Sequence, residues 1–201
     1  MADGTVIEYG LILPEGFDAA SPYPVLLALP PGQQDIDLTL LFTSSYLREV
    51  LARGWVVISP AAPNGTLFFQ GSERYIDEFL ASLDWIQPED GQIHISGISN
   101  GGRSAFAVAA LDPDRYASMI VFPGYPDAPD DRTALETFVE LPIAMLVGGD
   151  DAGWIGPMTT TLDTLESLGG SVSLEIRDGE GHVMESLSDG VDVFDFLDAQ
   201  R

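Results

Sequence analysis

The stretch Gln92-Ile93-His94-Ile95-Ser96-Gly97-Ile98-Ser99-Asn100-Gly101-Gly102 decides how the rest of the chain is read. It passes from a short apolar, β-branched segment into a glycine-rich turn, and residues 101–111 continue it as an amphipathic helix. Gly97 to Gly101 spell Gly-x-Ser-x-Gly. A sharp strand-to-helix turn holds such a serine in strained backbone geometry, and glycines two residues to either side let neighbouring chain approach without a clash. The turn also puts Ser99 at a helix N-terminus, where the partial positive charge favours a developing oxyanion. Alone, the pattern equally describes a glycine-rich turn with a capping serine. The strand before it and the helix after it favour a nucleophile.

Outward from this turn the same unit recurs: an apolar run, then a longer amphipathic segment. Strands are predicted over residues 5–13, 25–29, 55–59, 92–96, 119–122, 143–147 and 172–176. The later runs read as apolar throughout, the pattern of parallel strands covered on both faces. Helices are predicted over residues 38–52, 73–85, 101–111, 155–168 and 191–200. This alternation predicts a single α/β domain over residues 1–201, with a mostly parallel sheet, helices on both faces and right-handed crossovers. In such sheets the reactive groups sit on loops just past the carboxyl ends of strands.

A serine nucleophile needs a base and an acid that orients it. The chain has two histidines, His94 and His182. His94 lies inside the strand that leads to Ser99 and reads as a packed structural group. His182 follows the last strand in Gly179-Glu180-Gly181-His182, a poor place for packing and a good one for a base. The strand over 143–147 exits into Gly148-Gly149-Asp150-Asp151, which offers two adjacent carboxylates, of which one is expected to reach His182 while the other serves as a turn or helix cap. The order nucleophile, acid, base is that of one serine-hydrolase fold.

With these pieces the chain resembles the α/β-hydrolase superfamily over essentially its whole length, and within it the small bacterial carboxylesterases of the phospholipase/carboxylesterase and dienelactone-hydrolase-like groups. The resemblance rests on Gly97-Ile98-Ser99-Asn100-Gly101-Gly102, on Leu146-Val147-Gly148-Gly149-Asp150-Asp151 and on Gly179-Glu180-Gly181-His182. It implies an α/β-hydrolase fold with Ser99 as nucleophile, His182 as base and Asp151, rather than Asp150, as acid. It also implies an oxyanion hole built from backbone N–H groups: that of Asn100, and one from the loop after the early strand. That loop reads Leu29-Pro30-Pro31-Gly32-Gln33-Gln34, with prolines where the superfamily usually has His-Gly. Proline has no N–H, so Gly32 and Gln33 are the first candidate donors. Only residues 123–141 separate two late strands, too few for a cap domain, and the expected site is open and lined by some of Phe68, Phe69, Tyr125 and Trp154. The implied activity is hydrolysis of small or short-acyl carboxylic esters without cofactor or metal. Thioesters, peptides cleaved by a prolyl-oligopeptidase-type enzyme, and a non-catalytic ligand-binding module are the alternatives.

Composition narrows the rest. With no cysteine, disulfide scaffolds, thiolate metal sites and a cysteine nucleophile are excluded, and two histidines exclude a multi-histidine metal centre. Eight basic residues, all arginine, against 32 acidic ones give a net charge of −24. Such a surface repels phosphate backbones and anionic lipids, and no apolar run reaches membrane-spanning length, so neither a nucleic-acid partner nor membrane insertion is expected. Met1-Ala2-Asp3-Gly4 shows no basic segment or apolar core of a secretory signal, and the cytoplasm is the expected location. Residues 127–131 read as a solvated acidic loop. Twenty of the 32 acids are Asp, a balance expected of a protein adapted to high salt.

Overall fold

The computed structural model describes residues 1–46 and 49–201. Among the described residues the nine strands are β1 (Tyr9–Ile12), β2 (Pro22–Tyr23), β3 (Val25–Leu29), β4 (Val56–Pro60), β5 (Gln87–Pro88), β6 (Ile93–Gly97), β7 (Tyr116–Val121), β8 (Ile143–Gly148) and β9 (Val172–Arg177). Seven form one sheet in the order β1-β4-β3-β6-β7-β8-β9, all parallel except β1, which runs antiparallel to β4. The two-residue strands β2 and β5 pair with each other in parallel, outside that sheet.

Burial explains why these runs are strands. Every residue of β3, β4, β6 and β8 is buried, as central strands of a sheet covered on both faces require. Alternate side chains feed two cores. Val25, Leu27, Leu29, Ile95, Met119, Val121, Met145 and Val147 join Phe79, Phe106 and Met158 on one face. Leu26, Ala28, Val57, Ile120 and Leu146 join Phe42, Trp55, Phe194 and Leu197 on the other. At the sheet's edge, β9 departs from the expected apolar run. It pairs only with β8 and exposes Ser173, Glu175 and Ile176, because one of its flanks and part of one face meet water.

The helices are α1 (Ile36–Tyr46), α2 (Val50–Arg53), α3 (Ile76–Ala81), α4 (Asn100–Ala109), α5 (Arg132–Leu135), α6 (Ala152–Leu168) and α7 (Val191–Asp198). The single helix expected over 38–52 is represented by α1 and α2; residues 47 and 48 of that span lie outside the described residues. The helix expected over 73–85 is shorter: a 3-10 turn leads into α3, and Ser82 Oγ donates to the Phe79 carbonyl at 2.6 Å as the helix ends. Between β7 and β8 the chain holds only α5 and the 3-10 turn Glu136–Phe138, so no cap is built there. Asp131 starts α5 by accepting from the N–H groups of Thr133 and Ala134. The carboxyl ends of β3, β6, β7 and β8 thus come to one edge of the sheet, and the loops leaving β3, β6 and β8 carry every candidate catalytic and oxyanion residue except His182, which follows β9.

Candidate active site

Ser99 occupies the turn between β6 and α4 with φ 59° and ψ −119°, a conformation that costs a non-glycine residue on the order of 1–3 kcal/mol. What holds it there is close backbone contact. A Cβ on Gly97 would lie 2.1 Å from the Gly101 carbonyl oxygen, and one on Gly101 would lie 2.0 Å from that of Leu29. Only glycines let β6, α4 and the loop after β3 meet this closely. The Ser99 N–H donates to the Pro123 carbonyl at 2.8 Å, which ties the turn to the exit of β7.

The loop carrying His182 is drawn to the exit of β8 in the same way. A Cβ on Gly148 would lie 2.2 Å from the Gly181 carbonyl oxygen. The N–H groups of Gly149 and Asp150 donate to the carbonyls of Arg177 and Glu180 at 2.8 and 2.9 Å. With the two loops joined, His182 Nδ1 lies 2.7 Å from Asp151 Oδ2 and His182 Nε2 lies 2.8 Å from Ser99 Oγ. A carboxylate only accepts, so the proton on Nδ1 belongs in the bond to Asp151, and Nε2 is left to accept from the Ser99 hydroxyl. Chemically this is a hydroxyl beside a base whose orientation is fixed by a half-buried acceptor. Asp151 also stands at the start of α6, with its side chain 13% exposed against 40% for His182. Asp150 is exposed, and only its backbone N–H engages the His182 loop.

His94 stands apart. It is 4% exposed within β6, where Nδ1 meets Ser118 Oγ at 2.8 Å and the ring packs against Trp55. Burial pushes its pKa down to about 4, so the ring is neutral over the ordinary pH range. Two residues before His182, the Glu180 carboxyl is held below its ordinary range by the Ser186 hydroxyl and backbone N–H.

Of the three residues expected to supply the oxyanion donors, Asn100 and Gly32 are in direct contact. Asn100 Nδ2 donates to the Gly32 carbonyl at 2.8 Å, joining the first turn of α4 to the loop after β3. Gly32 takes the left-handed conformation, with φ 62°. Among the described residues, no internal hydrogen bond engages the backbone N–H of Gly32, Gln33 or Asn100. Of the four aromatics considered for the lining, Phe68 is fully buried and belongs to the core. Trp154 packs its ring 5.0 Å from that of His182, and Tyr125 packs 5.0 Å from Trp154.

Two residues escaped the sequence reading. Arg103, one helical turn after Ser99, lays its guanidinium 4.1 Å over the Phe69 ring and 5.5 Å from that of Tyr125, and pairs with Asp127. Within the exposed acidic loop over 127–131, Asp127 pairs with Arg103 and Asp131 caps α5. A cation four residues after the serine, in a chain with so few, was the available signal. Gln34 is fully buried in the loop after β3, and nothing local in the sequence marks it. Cavities of about 190 Å³ near Leu83 and about 240 Å³ beside Phe106 are lined by neither Ser99 nor His182, so the candidate site is not inside them. Among the described residues no group of three or more His, Asp or Glu side chains is placed to hold a metal ion.

No known protein-family pattern matches the sequence. Solved structures do match. A thermostable esterase is 17% identical with a TM-score of 0.77, over 96% of this chain and 59% of its own. An S-formylglutathione hydrolase from Agrobacterium tumefaciens is also 17% identical with a TM-score of 0.77, over 96% of this chain and 90% of its own. The chain has the α/β-hydrolase fold. Esterase PE8, 19% identical with a TM-score of 0.74, covers 97% of this chain and 99% of its own, so the fold is shared end to end with a protein of similar length.

Proposed function

We propose that this α/β-hydrolase-fold chain, read as one domain over residues 1–201, is a serine hydrolase that cleaves small or short-acyl carboxylic esters through an acyl-enzyme on Ser99. The observation that carries the reading is the unbroken line of hydrogen bonds from Ser99 Oγ through His182 to Asp151, at 2.8 and 2.7 Å. The esterases among the similar structures agree with it. Ser99 Oγ attacks the ester carbonyl while His182 Nε2 takes its proton. The carbonyl oxygen becomes an oxyanion facing the N–H groups of Asn100 and of Gly32 or Gln33. His182 then gives the proton to the departing alkoxide, and the acyl group remains on Ser99. A water molecule, deprotonated by His182, attacks the acyl-enzyme, and the acid leaves as Ser99 regains its proton. Asp151 holds the imidazole in the required orientation and stabilises its cation. The exposure of His182 and the short connection from β7 to β8 favour small substrates over long acyl chains.

A panel of p-nitrophenyl esters of increasing acyl length, run with the wild type, Ser99→Ala and His182→Ala, tests this. Each variant is expected to lose roughly 10⁴-fold or more in kcat while remaining folded. Full activity in Ser99→Ala would remove the proposal, and a folded protein inactive on every ester would favour a ligand-binding module. The high-salt adaptation suggested by the composition belongs to the same proposal: the enzyme is built to work at molar salt.

A further inference from the structure

Gln34 is an unusual residue to find where it is. Glutamine is ordinarily exposed, yet Gln34 is 0% exposed, and it takes the left-handed conformation, φ 55°, that disfavours a side chain. Each arm of its amide is engaged, and by a different part of the fold. Nε2 donates to the Pro30 carbonyl at 3.1 Å and to Ser104 Oγ on α4 at 2.9 Å. Oε1 accepts from the Phe68 N–H at 3.0 Å, in the 3-10 turn that also carries Phe69. Its backbone N–H donates to the Pro31 carbonyl at 3.1 Å, and its carbonyl accepts from the Ala62 N–H at 2.7 Å.

We infer that Gln34 is a positioning residue for the oxyanion donors, acting through the Pro30–Gln34 loop; the inference rests on the reading of Ser99 as nucleophile. The loop has four carbonyls before Gln34, and those of Pro30 and Gly32 are held by the side-chain amides of Gln34 and Asn100. Fixing a carbonyl fixes the plane of the peptide that follows it. Between the two anchors stands Pro31, whose φ is locked by its ring. The plane before Gly32 is held by the Pro31 carbonyl accepting from the Gln34 N–H, and the plane after it by the Gly32 carbonyl accepting from Asn100. The buried side chain of Gln34 holds that N–H in place, so among the described residues the N–H groups of Gly32 and Gln33 are directed by the framework and unused by it. A preorganised donor acts because it need not reorient as charge develops. Gln34 never touches the substrate in this account. It aims the groups that do. Removing the amide would strand the Phe68 N–H and the Ser104 hydroxyl in the interior, and the loop is expected to shift to satisfy them.

The test compares wild type, Gln34→Met, which keeps the shape and removes the amide bonds, and Ser104→Ala, which removes one partner. Steady-state kinetics on p-nitrophenyl acetate, inhibition by an aryl trifluoromethyl ketone that forms a tetrahedral adduct with a nucleophilic serine, and urea unfolding are measured on each. Losing a whole oxyanion donor costs about 10²–10³ in kcat, so misdirecting one in Gln34→Met is expected to lower kcat about 10- to 100-fold with KM within about twofold. The ketone should weaken in step with kcat. Loss of stability alone would not produce that split in a protein still folded at the assay temperature. If Gln34→Met does not fold, Ser104→Ala is read in the same way, with a fall in kcat of a few fold at constant KM. A folded Gln34→Met with wild-type kcat and ketone affinity would overturn the inference and leave Ser99 untouched. If instead wild-type hydrolysis does not depend on Ser99, the underlying reading fails. Amide NMR then still decides the positioning claim: the Gly32 and Gln33 N–H signals must shift in Gln34→Met, and unmoved signals overturn it.

Discussion

Two histidines in one chain have been given opposite environments, and the difference is measurable without any substrate. His182 stands half in water beside a carboxylate, whereas His94 is enclosed by β6, Trp55 and Ser118. The folded pKa of His94, about 4, lies below the 6.5 of an unperturbed imidazole. As pH falls, the unfolded chain therefore takes up a proton before the folded one does. The stability this site contributes is complete above about 6.5, declines through the interval down to about 4, and is then fully lost, a change on the order of 3 kcal/mol. His94→Gln removes that slope. Urea midpoints measured for both proteins between pH 7 and 4 should converge as pH falls, with esterase activity at pH 7 retained in the variant; parallel profiles would contradict the buried-neutral assignment. Ser99 and His182 were legible at this scale because glycines flank them and strands precede them, both local properties. The choice between Asp150 and Asp151 was open on the residues alone, because it depends on which side chain faces a loop 30 residues away. Gln34 was illegible because its burial and its partners on α4 and near Phe68 exist only once the chain is folded.

At the scale of elements, the geometry depends on how closely loops from separate strands approach. The exit of β8 and the loop after β9 meet at Gly148 with no room for a methyl group, and that contact sets the distance between Asp151 and His182. Gly148→Ala must push the two apart. Because a misplacement of about 1 Å can cost about 10²-fold in rate, kcat is expected to fall at least about tenfold in a protein whose circular dichroism remains native. Unchanged kcat would mean that the loops accommodate the methyl group without moving His182. The buried strands were readable as apolar runs bounded by turns. The antiparallel placement of β1, the pairing of β2 with β5 and the four-residue α5 were not, since two to four residues carry no usable periodicity and owe their form to neighbours. The helix expected over 73–85, of which α3 covers Ile76–Ala81, shows the converse limit: continuous amphipathic spacing does not reveal where a short helix stops.

Over the whole molecule, charge is the governing quantity. Arginines sit in clusters with more than one carboxylate: Arg53 with Glu49, Asp195 and Asp198, Arg115 with Asp77 and Asp112, and Arg177 with Glu175 and Asp192. These pairs are partly exposed and contribute little each, about 0–1 kcal/mol, so they do not offset a net charge of −24. Self-repulsion at low salt follows. The screening length is about 10 Å at 0.1 M and about 3 Å at 1 M, so molar salt removes most of the repulsion. The urea midpoint is expected to rise substantially from 0.1 M to 2 M sodium chloride, with potassium chloride acting alike. Equal midpoints would remove the high-salt reading and leave the chemistry as it is. That chemistry turns on one atom, Ser99 Oγ, and covalent capture addresses it most directly. After incubation with an aryl fluorophosphonate, peptide mass spectrometry should find the phosphonyl group on Ser99 in the wild type, and strongly slowed labelling in folded His182→Ala. A modified peptide that excludes Ser99, or labelling at the wild-type rate without His182, would contradict the account.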